Sequence, residues 1–145
     1  MHELPHHYKV AASAETESDV SLTSDGLEAI PSAPPVEFGG PGDKWSPETL
    51  LVAAVADCFI LTFRAIARAS KLPWVSLKCD VEGILDRPER TTQFTEFMVR
   101  ATLEVPEEAD EKKAQWALDK AERSCLVTNS LSSTTHLEAT VLKVS

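Results

Sequence analysis

The segment from Ser46 to Ser70, SPETLLVAAVADCFILTFRAIARAS, constrains the fold more than any other stretch of the chain. It begins as helices begin. Ser46 can accept from the free amides of a first turn, Pro47 has no N–H to leave unsatisfied, and Glu48 puts a negative charge where the helix dipole favours one. From Leu50 to Phe63 only Asp57 and Thr62 interrupt the apolar run. A helix without a polar face is buried on all sides. The spacing therefore predicts a single central helix of roughly 25 residues, ~37 Å long, with Cys58 at its middle. A chain of 145 residues can enclose such a rod only by wrapping most of itself around it or by sharing the work with a second copy.

The flanking segments read as strands with one further helix. Tyr8 to Ala14 alternates weakly, Val20 and Leu22 alternate again, and Leu27 to Ile30 follows the break at Gly26, which together suggest a short antiparallel meander. Pro31, Pro34 and Pro35 end it, and a Gly39-Gly40-Pro41-Gly42 loop leads to Ser46. Beyond the helix, Val75, Leu77, Cys79, Val81, Gly83 and Leu85 share one face of a strand, and Phe97, Val99, Ala101, Leu103 and Val105 repeat the pattern. Their short connection implies an antiparallel pair with one wet face. Pro106 is expected to open a second helix rich in acids at its start, with Ala114, Ala117, Leu118 and Ala121 as its apolar stripe and Trp116 at its rim. Leu137, Ala139 and Val141 mark a closing strand. Strands, helix, two strands, helix and strand make an α+β protein, not a doubly wound sheet.

The length favours one domain, residues 1–145, able to bury about two thirds of its unfolded surface. A net charge of −9 disfavours nucleic acid and anionic membrane as partners. No N-terminal stretch joins positive charge to an apolar segment, and the long apolar run is Ala-rich and broken by Asp57, so a soluble cytoplasmic protein is expected. Three cysteines without a CxxC pair suggest neither structural zinc nor a secreted disulfide framework, and no His/Asp/Glu cluster has ligand spacing; no cofactor is expected. His2, His6 and His7 read as a frayed arm.

Chemistry then rests on the cysteines. Cys79, inward between Leu77 and Val81, reads as a small core hydrophobe, and so does Cys58 taken alone. Cys125 differs, because it stands where a helix gives way to the polar SCLVTNSL segment, near free amides that can lower a thiol pKa. Sequence spacing, 67 residues, does not say whether the sulfurs of Cys58 and Cys125 meet.

The segment SPETLLVAAVADCF resembles the N-P-E-E-L…A-A-C-F signature of the OsmC/Ohr family of organic hydroperoxide reductases, and SCLVTNSL resembles that family's second-cysteine motif. The order of strands and helices agrees over essentially the whole chain. The resemblance implies an OsmC-like fold, antiparallel sheets wrapped around the long buried helix in an intertwined homodimer. It implies a thiol-dependent peroxidase that reduces small organic hydroperoxides in oxidative stress defence, with Cys58 peroxidatic, Cys125 resolving and an external dithiol as reductant. It also implies that Glu48, the Glu of the N-P-E motif, supports the site by holding an arginine.

This chain departs from the pattern in that respect. No arginine precedes Arg64, and the family position falls near Glu37 in PPVEFGG; Leu126 stands where the family has Pro, and Asp57 adjoins Cys58. Arg64 and Arg68 lie too far along the helix to serve Cys58 in cis, which leaves Lys44 as a candidate cation. Without a cation, Cys58 is expected to titrate above the ~8.5 of a free thiol. The alternative is a non-catalytic dimer that binds a small hydrophobic ligand or acts as a scaffold.

Overall fold

The computed structural model describes residues 1–145, which form two compact units, Met1–Leu51 and Val52–Ser145. In the first, β1 (Ala11–Ser13), β2 (Val20–Thr23) and β3 (Ile30–Ser32) form an antiparallel meander in that order. Pro31 sits within β3 opposite Ser21 instead of ending the strand. β3 is an edge, where a missing N–H does no harm. Ser32 also bridges to Trp45, and the Ala33 amide donates to the Trp45 carbonyl at 2.9 Å, closing the intervening loop at its base. Inside that loop a Cβ on Gly40 would lie 1.6 Å from the Pro34 carbonyl oxygen, so only glycine fits.

Helix α1 (Pro47–Ser70) starts as its sequence suggests. The Thr49 amide donates to Ser46 Oγ at 3.1 Å and the Ser46 amide donates back to Thr49 Oγ1 at 2.9 Å. This reciprocal cap puts Thr49 where a capping box usually has Glu or Gln.

The second unit takes up α1 from Val52 and adds β4 (Ser76–Asp86), β5 (Gln93–Pro106), α2 (Glu111–Ser124), a single turn α3 (Leu126–Asn129) and β6 (Thr134–Val144). The sheet order is β4-β5-β6. β4 and β5 are antiparallel, with Val81 opposite Val99, whereas β6 joins β5 in parallel with Leu137 beside Val99. The parallel pairing follows from a crossover through α2 and α3, since a tight turn cannot join parallel neighbours. Phe97, Val99, Ala101, Leu103 and Val105 are all buried on β5, and Ala114, Ala117, Leu118 and Ala121 form the buried stripe of α2. Gly83 of β4 permits a close approach: a Cβ there would come within 2.9 Å of both Val52 Cγ2 and Phe97 Cε1.

One expectation needs correction. Pro106 does not open α2; it ends β5, and Asp110 four residues later is the cap, its Oδ1 accepting from the amides of Lys112 (2.9 Å) and Lys113 (3.3 Å). A carboxylate cap satisfies two orphan donors, which Pro106 cannot. A single chain buries α1 along one side. Val55, Phe59, Phe63 and Ala67 form one buried stripe with Phe63 edge-on to Trp74, while Ala53, Ala54 and Ile60 are half-buried and Leu61 is 51% exposed. A three-stranded sheet covers one side of a helix about 10 Å across and no more. By length and apolar composition α1 would suit either a membrane span or a core helix; the stripe set into the core of the second unit makes α1 a core helix.

Candidate active site

Both ends of the candidate site belong to the second unit. Cys58 lies half-buried on α1, and Cys125 is 2% exposed at the junction of α2 and α3. Cys125 is extended (φ −65°, ψ 110°), which stops α2 and lets α3 restart at once. The corner is tied by the Asn129 amide to the Cys125 carbonyl (3.0 Å), by Thr128 Oγ1 to the same carbonyl (3.2 Å) and by Asn129 Nδ2 to the Arg123 carbonyl (3.3 Å). The new turn begins with the amides of Leu126 and Val127, and these face the Cys58 sulfur.

The structure brings Cys58 and Cys125, 67 residues apart in sequence, near enough for each thiol to act on the other's ionisation. Burial pushes the Cys58 thiol up. Against it act the Val127 amide, the Cys125 thiol, the Thr62 hydroxyl and the Leu126 amide, and together they hold Cys58 below its ordinary value. Of these, the Thr62 contact is a defined hydrogen bond, Sγ to Oγ1 3.8 Å; the others act as neighbouring donors. This corrects the expectation that Cys58 titrates high for want of a cation. Hydrogen bonds to the charged form favour it whether or not the donors carry charge.

The other two thiols move the opposite way. Cys125 is raised, chiefly by burial and also by the Cys58 sulfur, although the Thr128 amide and hydroxyl pull it down. Cys79, half-buried opposite Ala101, is pushed up to about 11 by burial, the neighbouring Asp80 and Cys125. A reactive thiol needs donors around it, and only Cys58 has more than its burial costs it.

The remaining sequence candidates lie elsewhere. Glu48 occupies the first turn of α1, in the first unit, beside an apolar cavity of about 390 Å³ lined by Val20, Leu22, Pro34, Pro35 and Phe38. Its Oε1 is buried with no hydrogen-bond partner. Ten residues of one helix, about 15 Å of rise, separate it from Cys58, beyond a carboxylate's reach. Lys44 is engaged by Asp19 and Asp43, each at 3.7 Å. Asp57 is exposed and is not among the groups acting on the sulfur. Sequence reasoning missed Thr62 and the α3 amides. Thr62 had a signal, since residues four apart share a helix face.

The sequence profile of the family described as OsmC-like protein matches residues 40–140. Among relatives, an uncharacterised protein of Bacillus subtilis (strain 168), YmaD, is 25% identical over 137 residues, covering 92% of this chain and 91% of that protein. An OsmC-like protein of unknown function from Vibrio cholerae superposes with a TM-score of 0.85 at 18% identity, over 93% of this chain and 99% of that one. An organic hydroperoxide resistance protein OsmC from Legionella pneumophila does so at 0.73 and 24% identity, over 95% and 99%. With two thirds of its length inside the profile and the fold shared end to end, this chain belongs to the OsmC-like protein family.

Proposed function

We propose that the protein is a thiol-dependent peroxidase that reduces organic hydroperoxides to alcohols. The observation that supports this reading best is the meeting of Cys58 and Cys125 with their pKa values displaced in opposite directions. Environments that drive paired groups apart assign them different roles.

In this reading the Cys58 thiolate attacks one oxygen of the O–O bond. The S–O bond forms, the O–O bond breaks, and the departing alkoxide takes a proton to leave as the alcohol, with Cys58 now a sulfenic acid. The Cys125 sulfur then attacks the sulfenic sulfur, forming the disulfide as hydroxide leaves and combines with the thiol proton as water. An external dithiol returns both cysteines to thiols by exchange. A homodimer covers the rest of α1, and the partner subunit's Glu48 supports the site, since Glu48 cannot do so along its own helix. Oxidative stress defence in the cytoplasm is the setting such a reaction fits.

The test is stoichiometric. One equivalent of cumene hydroperoxide should remove two thiols per chain, yield one alcohol and give a Cys58–Cys125 disulfide in peptide mapping, with Cys79 still free. A bridge through Cys79, or inert thiols, overturns the reading. Inert thiols together with a tightly held apolar ligand would support the second reading, a binding protein, which the apolar cavity beside Glu48 favours.

A further inference from the structure

Thr62 breaks the apolar run of α1, yet it does not use its hydroxyl as helix threonines commonly do, by bonding to the carbonyl four residues back. Its one hydrogen bond is to Cys58 Sγ at 3.8 Å. Four residues along a helix are about 6 Å of rise on the same face, so the contact is built into α1 and holds without help from α3. The branched Cβ of threonine confines χ1 in a helix to two wells, so the hydroxyl has few other aims. The side chain is half-buried, which limits competition from water.

The groups that act on the Cys58 sulfur are few. From α1 there is Thr62; from the α2–α3 corner there are the Cys125 thiol and the Val127 and Leu126 amides. The space beside Cys125 is lined by Val55 and Phe59 of α1, Val99 of β5, Thr128 of α3 and Thr135 of β6, with one charged side chain, Glu122 of α2, which is not among the groups acting on the Cys58 sulfur. Every donor is neutral, so each carries a larger share of the work that a single cation would otherwise do.

We propose that Thr62 is a positioning residue for Cys58: its hydroxyl holds the sulfur in the rotamer that faces the α3 amides and donates to it when it is ionised. As a thiol, Cys58 can itself donate to Thr62 Oγ1; as a thiolate it can only accept, so the hydrogen bond reverses as the proton leaves. In its catalytic consequence the proposal rests on the peroxidase reading, but its electrostatic part does not.

The experiment compares Thr62→Val and Thr62→Ser in the full chain with all three cysteines reduced. Alkylation of Cys58 by iodoacetamide is followed against pH at peptide level, and cumene hydroperoxide consumption is followed with an excess of dithiol. Thr62→Val keeps the shape and removes the hydroxyl. It should raise the Cys58 midpoint by about one pH unit, so that alkylation and hydroperoxide consumption well below the midpoint both fall about tenfold. Thr62→Ser should keep both within about threefold of the parent. An unmoved midpoint in Thr62→Val, or a Thr62→Ser midpoint displaced as far as that of Val at equal melting temperature, overturns the proposal and leaves Thr62 a packing residue. If the parent consumes no hydroperoxide, the peroxidase reading fails on its own while the alkylation midpoints still decide the role of Thr62.

Discussion

Gly83→Ala tests how closely α1 is set against the sheet that carries the site. The added methyl meets three side-chain atoms at once, with Val52 Cγ2 and Phe97 Cε1 at 2.9 Å and Phe94 Cε1 at 3.0 Å. Contacts between carbons are comfortable near 3.5–4.0 Å, so each neighbour must give by more than half an ångström. They differ in how far they can. Phe97 is fully buried and stacked on Phe94 with centroids 5.3 Å apart, so its ring is fixed; Phe94 and Val52 are half-buried and can turn. Overpacking of this kind costs about 1–3 kcal/mol, and the immobile Phe97 puts the expectation near 2. At this chain length that is a fall in melting temperature of roughly 4–8 °C. Val52→Ala removes one of the three clashes, so the double variant should be less unstable than the sum of the singles by about 0.5–1 kcal/mol. Urea unfolding of the four species at one protein concentration measures both quantities. A Gly83→Ala protein within 0.5 kcal/mol of the parent, or strict additivity with Val52→Ala, would show that β4 and α1 do not approach as described.

Three further outcomes are expected. Cys125→Ser should leave Cys58 as a sulfenic acid after one equivalent of hydroperoxide, trapped by dimedone and seen by mass spectrometry; an unmodified Cys58 would remove it as the attacked thiol. Because the donors around Cys58 are neutral, its alkylation midpoint should stay fixed between about 0.05 and 0.5 M salt, whereas a clear rise would reveal an overlooked exposed cation. Cys79, at about 11 in the folded chain, keeps its proton while the unfolded chain loses it near 8.5; its contribution to stability is therefore full below about pH 8.5 and is lost as pH climbs toward 11. Cys79→Ala should flatten the alkaline decline in urea midpoint over that window, and an unchanged slope would contradict the assignment.

Much of the fold was legible from period alone. The alternation on β4 and β5 holds up to a register shift between Ile84 and Leu85, which leaves Leu85 exposed, and it placed Cys79 inward, between Leu77 and Val81. The Ser46-Pro47 start of α1 was legible because capping is local chemistry. Two features were not. The onset of α2 depended on a competition between Pro106 and Asp110 that the backbone path of β5 decides. The burial of α1 depended on how wide a sheet the chain could supply, a quantity that apolar count does not carry. The site divides in the same way. Cys58 and Cys125 stood out through motif resemblance, but the donors that set the Cys58 thiol did not, because backbone amides have no letter in the sequence. They become a feature only when an extended Cys125 restarts the helix beside α1.

A chain without an arginine before Arg64 can in this way still hold one thiol below its ordinary value. Burial raises all three cysteines, so burial cannot choose among them. Selection comes from the direction in which hydrogen bonds run. Cys58 receives donors from Val127, Cys125, Thr62 and Leu126, and every one of them favours its anion. Cys125 receives donors from Thr128 alone, and the neighbouring Cys58 sulfur favours keeping its proton. Cys79 receives none and has the negative charge of Asp80 next to it in the strand. The contact between Cys58 and Cys125 is therefore asymmetric in the ground state, since ionising one sulfur strengthens the other's hold on its proton. On the peroxidase reading proposed above, such a pair would supply the more readily ionised thiol for attack and the more firmly protonated one for resolution.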